Sequence, residues 1–260
     1  MQSIIYLFLA FITGLIYPVQ NPAIADPIDI SGQWVRIGPA GPIALNFKSD
    51  GMVKGDFGND GSIEIVSGYS IKGDHIIFED KEGAACPEPG EYEIHLNEYY
   101  IAFDLIEDNC AGRLRSTMGF WVRPDFNELL SKLSDEIDKT ADAEDFLNRA
   151  RMYMAIGKSM EAQQDFDQYI KYDPSDARVF VNRAGTRFPG DMEGVVEDCN
   201  KSLALESNNK NAFFLRGLAL YELGQKEQAC EDFYRAIELG FVILKEAEYE
   251  KCAEYWESIK

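Results

Sequence analysis

The chain has 260 residues, of which 46% are hydrophobic and 27% charged, a globular composition that excludes a mostly disordered or collagen-like protein. Acidic residues outnumber basic ones 45 to 25, for a formal net charge of −20. That excludes the positive surface that nucleic-acid phosphates or anionic lipids require.

Residues 4–17 (IIYLFLAFITGLIY) form an uncharged apolar run, broken by Pro18 and followed by the small-residue site Ala23-Ile24-Ala25. An apolar segment of this length before an A-x-A boundary predicts a secretory signal over 1–25, cleaved after Ala25. As a membrane anchor it falls short of the ~20 residues a spanning helix needs. The expected mature chain begins at Asp26, has no membrane span and lies in the periplasm or outside the cell.

Export places the five cysteines, Cys86, Cys110, Cys199, Cys230 and Cys252, where thiols pair. Separations of 24 and 22 residues suggest Cys86–Cys110 and Cys230–Cys252, with Cys199 left as a free thiol; a Cys199–Cys230 pairing is the alternative. No C-x-x-C is present, so neither a redox-active dithiol nor a zinc knuckle has support.

Over 26–123 the period is two. Ile43, Leu45 and Phe47 alternate with Ala44, Asn46 and Lys48. Turn signals follow at Ser49-Asp50-Gly51, Asn59-Asp60-Gly61 and Lys72-Gly73-Asp74. Further runs carry Ile76 and Phe78, then Tyr92, Ile94 and Leu96, then Ile101, Phe103 and Leu105, and finally Gly119-Phe120-Trp121-Val122. About eight short strands joined by hairpins predict an antiparallel sandwich or an up-and-down barrel. Tyr69, Phe78, Tyr92, Phe103 and Phe120 are the aromatics expected to fill the interior or to line a cavity.

Gly32-Gln33-Trp34 opens the first strand and Trp121-Val122-Arg123 closes the last. This resembles the lipocalin and avidin-like pattern, in which a G-x-W tryptophan packs under an arginine from the final strand. The resemblance implies a closed barrel with Arg123 stacked on Trp34.

From Pro124-Asp125 the period becomes helical. Phe126, Leu129, Leu130, Leu133 and Ile137 share one face of a helix, which serves as linker and N-terminal cap over 124–142. Asn148-Arg149-Ala150 then returns as Asn182-Arg183-Ala184 and as Leu215-Arg216-Gly217. Asp165-Phe166 returns as Asp198-Cys199 and Asp232-Phe233. A period of about 34 with small residues and aromatics at fixed places is the tetratricopeptide signature. The repeats fall at 143–176, 177–209 and 210–240, the second being degenerate. A C-terminal cap follows over 241–260, carried by Leu244, Cys252, Tyr255, Trp256 and Ile259. The predicted fold is therefore two-domain: an all-β barrel, then an all-α solenoid of three helix pairs with capping helices.

Chemistry is sparse. His75 and His95 are the two histidines, both in strands, and no phosphate loop, nucleophile elbow or H-E-x-x-H is present. Asp56-Phe57-Gly58-Asn59-Asp60-Gly61 reads as a turn, since Gly58 stands where a calcium ligand is wanted. No catalytic site, metal site or cofactor is expected, and the chain is not expected to be an enzyme.

Resemblance to the tetratricopeptide family implies instead a concave groove lined by the first helix of each pair. The groove residues would be Leu147, Asn148, Arg151 and Met154 in the first repeat. Arg178, Val181 and Asn182 follow in the second, and Asn211, Phe214, Leu218 and Tyr221 in the third. Asn148 and Asn182 fall where family members hydrogen-bond a bound peptide backbone. The dicarboxylate clamp is missing, because Leu147, Asn211 and Leu215 occupy its positions. The expected function is an exported adaptor binding another cell-envelope protein or peptide segment. The alternative is a small-ligand carrier, with the barrel as binding site and the repeats as docking scaffold.

Overall fold

The computed structural model of the protein describes residues 28–38, 41–82, 86, 88–241, 252–253 and 255–257. The signal segment 1–25 and the cap residues Leu244 and Ile259 lie outside the described residues.

Among the described residues eight strands follow in order: β1 (Gly32–Gly38), β2 (Gly41–Phe47), β3 (Met52–Phe57), β4 (Ile65–Lys72), β5 (His75–Glu82), β6 (Gly90–Leu96), β7 (Ile101–Glu107) and β8 (Gly119–Trp121). Each pairs antiparallel with its sequence neighbour in a single sheet. The sheet nearly closes into a barrel, because Val35 on β1 exchanges both backbone hydrogen bonds with Val122, at 2.8 and 3.0 Å. Lys72 faces His75 across a two-residue turn of Gly73-Asp74. Gly73 has φ +66°, which a β-carbon would oppose.

The alternation buries Trp34, Phe47, Ile76, Phe78, Tyr92, Phe103 and Trp121 in one core. Each such side chain stabilises by ~1.5–3 kcal/mol on burial. At one end Arg123 lies 3.7 Å above the Trp34 ring and donates to Ser31 O at 2.8 Å. Two features depart from the sequence reading. The stretch before β8 is a short helix, α1 (Ala111–Thr117), whose Leu114 enters the barrel core. Phe120 points away from the barrel interior, because Trp121 beside it points in and successive side chains on a strand alternate.

The helices that follow are α2 (Phe126–Thr140), α3 (Ala143–Ala155), α4 (Ser159–Tyr172), α5 (Ala177–Arg187), α6 (Met192–Leu205), α7 (Lys210–Glu222) and α8 (Lys226–Glu238). Asp142, Asp176 and Asn209 cap α3, α5 and α7 through their side-chain oxygens. Each cap contributes ~1 kcal/mol. Packing is closest within the pairs α3/α4, α5/α6 and α7/α8, and successive pairs touch through α4/α5 and α6/α7. The small residues sit where helices come closest. At Gly217 a β-carbon would stand 2.6 Å from the Phe233 ring. Beyond α8, Cys252 and Trp256 bury against Cys230 and Phe233, and Trp256 Nε1 donates to Cys230 O at 2.9 Å.

The two halves share a core. Tyr99, Tyr100, Ala102 and Val122 of the barrel pack with Leu130, Leu133 and Ile137 of α2 and with Met152, Ala155 and Ile156 at the end of α3.

Candidate binding groove between the barrel and the repeats

The recurrent Arg and Asp of the sequence form a ladder that sets the first helix of each pair. Arg149 makes a two-pronged contact to Asp165, both bonds 2.8 Å. Arg183 does the same to Asp198 at 2.9 and 2.5 Å, and Arg216 to Asp232 at 2.7 Å twice. The remaining nitrogen of each arginine reaches back to the preceding second helix. Arg216 meets Asn200 at 2.6 Å, Arg183 meets Asp167 at 2.6 Å, and Arg149 meets Ser134 on α2 at 3.0 Å. Each guanidinium thus joins its own pair and ties it to the one before. Fork-shaped donors on carboxylates fix geometry as well as energy.

The eleven groove residues fall into three settings. Leu147 is buried beneath the groove with Ala150 and Phe166, and Met154 packs beside the same cluster. In the third repeat Phe214, Leu218 and Tyr221 pack with Phe233 and Phe241. Phe214 stacks on Phe241 with ring centres 4.3 Å apart. The others face the barrel. The turn joining β6 to β7 is built on Asn97, whose side-chain oxygen accepts from the Tyr99 and Tyr100 amides. Asn97 Nδ2 then donates to Asn148 Oδ1 at 3.0 Å, and Arg151 donates to the Tyr100 hydroxyl at 2.6 Å. The chain's own hairpin therefore occupies the first-repeat part of the concave face.

Next to that contact a cavity of about 290 Å³ remains. Its barrel wall is His95, Tyr100, Ala102, Asp104 and Phe120. Its helical wall is Arg151, Arg178, Val181, Asn182, Asn209 and Asn211. Of the helical wall, Arg151, Arg178, Val181, Asn182 and Asn211 are among the groove residues expected from the sequence, whereas Asn209 and the whole barrel wall are not. The signal was the run Tyr99-Tyr100-Ile101-Ala102-Phe103, apolar on both faces of a strand, which marks a strand covered on both sides.

Both histidines hold carboxylates. His75 Nδ1 lies 2.8 Å from Glu91, and His95 Nε2 lies 3.0 Å from Asp104 with Glu93 at 3.9 Å. The hydrogen bond to Asp104 raises the His95 pKa above 6.5 against burial and the field of Arg178, and holds Asp104 below its usual 3.8. A histidine raised in the folded state contributes its full stability below pH 6.5 and loses it as pH rises through the folded value. His95→Gln is expected to lower the melting temperature at about pH 6 and to leave it near the parent's at about pH 9. An equal drop at both would assign His95 to packing alone.

A second cavity, of about 420 Å³, opens in the barrel beside α1. Leu45, Val53, Phe57, Ile65 and Phe78 give it apolar walls, and the Cys86–Cys110 disulfide borders it. Asp80 and Arg113 form its polar end, 3.1 Å apart, and Arg113 also grips the buried Asp108 at 2.6 and 2.9 Å. The Tyr92 hydroxyl donates to Asp108, and burial beside that carboxylate raises its pKa. In the helical half Cys230 and Cys252 are bonded, while Cys199 is a buried free thiol pushed up to about 12 by burial. Among the described residues no helix is long and apolar enough to cross a membrane.

Residues 211–239 match the tetratricopeptide repeat family model. It is similar to tetratricopeptide repeat protein 36 of Danio rerio, 42% identical over 85 residues, which is 30% of this chain and 45% of that protein. It is also similar to RNA polymerase II-associated protein 3 of Rattus norvegicus, 27% identical over 153 residues, 51% of this chain and 23% of that one. The chain thus spans less than half the length of either relative. Among solved structures, a crystal structure of MamA aligns at 16% identity and TM-score 0.48, covering 59% of this chain and 86% of that one.

Proposed function

We propose that this protein is an exported adaptor. In this reading the signal segment 1–25 is removed, and the mature chain works in the periplasm or outside the cell. Its concave face, between a lipocalin-like barrel and the tetratricopeptide helices, binds a segment of another envelope protein. The observation that carries the reading is the cluster of Arg178, Asn182 and Asn211, which puts amide and guanidinium donors on an open wall of first helices. Such donors match the backbone carbonyls of an extended segment. No enzymatic role is proposed.

Affinity capture from envelope extract tests the reading, with the intact chain as bait beside an Asn182→Ala, Arg178→Glu variant. The expected result is one envelope protein retained by the parent and reduced about tenfold or more by the variant. Identical retention by both would overturn it.

The barrel cavity favours a second reading, the small-ligand carrier. Small barrels are ordinarily filled by side chains, whereas this one keeps about 420 Å³ open between apolar walls. A small molecule released from the purified chain by denaturation, and not from a Ser116→Trp variant that fills the cavity, would support it.

A further inference from the structure

We infer that the open cavity of the barrel takes an organic cation, an ammonium or guanidinium group carried on an apolar body. The inference rests on the carrier reading of that cavity and names the class of its ligand.

The polar end of the cavity is one positive charge short. Asp80 and Asp108 keep side chains only 5% and 0% exposed, and one guanidinium, that of Arg113, lies between them. Arg113 is already committed. Its Nε and Nη2 donate to Asp108 at 2.6 and 2.9 Å, and Nη2 donates again to Glu88 O at 2.7 Å. Its Nη1 lies 3.1 Å from Asp80. Asp108 also accepts from the Tyr92 hydroxyl and the Cys110 amide. Asp80 is the aspartate that lines the cavity, and among the described residues its second donor is the Ser67 hydroxyl, at 2.5 Å. A carboxylate has about four acceptor sites, so Asp80 on the cavity wall has capacity left. Two formal negative charges against one positive leave a net charge where water is nearly excluded. Such a charge is costly until a cation meets it.

The remaining walls state what carries that cation. Leu45, Val53, Ile65 and Phe78 present hydrocarbon, which suits an apolar body and not the oxygen cage of a metal ion. The lining adds a further carboxylate, Glu64, whereas Arg113 is its one cation among the described residues. An anionic ligand would meet these carboxylates with the guanidinium already taken. A cavity of about 150 Å³ holds a benzene ring, so about 420 Å³ admits a ligand of about fifteen non-hydrogen atoms.

Calorimetric titration of the intact protein with three indoles of similar size tests the charge. Tryptamine is a cation, tryptophol is neutral and indole-3-acetate is an anion. The expected result is tryptamine binding about tenfold or more tightly than tryptophol, and no binding of indole-3-acetate. Asp80→Asn removes the charge and nearly keeps the shape. In that variant tryptamine should lose about tenfold in affinity while tryptophol changes little. Ser116→Trp, which fills the cavity, should abolish the binding of both. The order of the three probes on the parent protein decides the assignment even where Asp80→Asn does not fold. Tryptophol binding as tightly as tryptamine, or indole-3-acetate binding tightest, overturns the cation and leaves the carrier reading standing. Tryptamine binding unchanged in folded Asp80→Asn or Ser116→Trp overturns it too, because the cation then sits elsewhere. If none of the three gives heat, the cation assignment falls, and the release of a molecule on denaturation judges the carrier reading by itself.

Discussion

Replacing Asp198 by alanine is expected to remove about 3–5 kcal/mol of stability from the helical half. Asp198 is fully buried and holds two arginines, Arg183 by two bonds and Arg187 at 3.1 Å. Without it two guanidiniums, only 10% and 14% exposed, remain in a space that water barely reaches. The cost comes from stranded charge rather than from the lost bond itself. A variant with Asp198→Leu, Arg183→Met and Arg187→Met is therefore expected to recover much of the loss, since apolar replacement of buried ions is often neutral and the outer partner of Arg183, Asp167, is 42% exposed to water. Urea unfolding followed by far-UV ellipticity measures both. The exposed pair Lys201–Glu197 provides the control, because Glu197→Ala should change stability by less than about 0.5 kcal/mol. A loss for Asp198→Ala no larger than that control would sink the argument.

Gly90→Ala is the second large effect, and its sign opposes the general rule. An alanine in a strand interior is ordinarily better than glycine by ~0.5–1 kcal/mol. At position 90 the added β-carbon would collide with the Asp108 carboxylate and stand 2.7 Å from Arg113 Nε. Neither can retreat. Asp108 is held by Tyr92, Arg113 and the Cys110 amide, and Arg113 by Asp108, Asp80 and Glu88 O. Separating that pair should cost about 3–5 kcal/mol, as for any buried ion pair that is opened. Trp34 and Trp121, both in the barrel core, make tryptophan fluorescence a suitable readout during urea unfolding. A stabilised Gly90→Ala protein would show that strand propensity outweighs the pair.

Alternation and Asp-Gly turns are local properties, so the strands from β2 to β7 and the two-residue turn at Gly73-Asp74 were legible. The repeat spacing likewise announced the paired helices, and it held the ladder in plain view: Arg149, Arg183 and Arg216 recur in register with Asp165, Asp198 and Asp232. The helix α1 was not legible. Seven residues with Gly112 among them complete too few turns to set up a helical period. Phe120 lies on the outer face, the side that parity with Trp121 requires. The meeting of barrel and repeats depends on which completed surfaces touch, and no local period encodes that. Only the doubly apolar run at Tyr99–Phe103 hinted at it.

The backward reach of the ladder has a consequence for the architecture. Ser134 takes the place on α2 that Asp167 takes on α4 and Asn200 on α6, and Leu133 beside it is as deeply buried as Phe166 and Cys199. The helix α2 is thus the second half of a repeat that has no first helix. What lies where that helix would stand is the edge of the barrel, with Tyr100 and Val122 against Leu130, Leu133 and Ile137. The solenoid starts mid-repeat, and a β-sheet completes it. An array begun this way has a fixed origin: the barrel edge sets the frame from which every later helix is laid down.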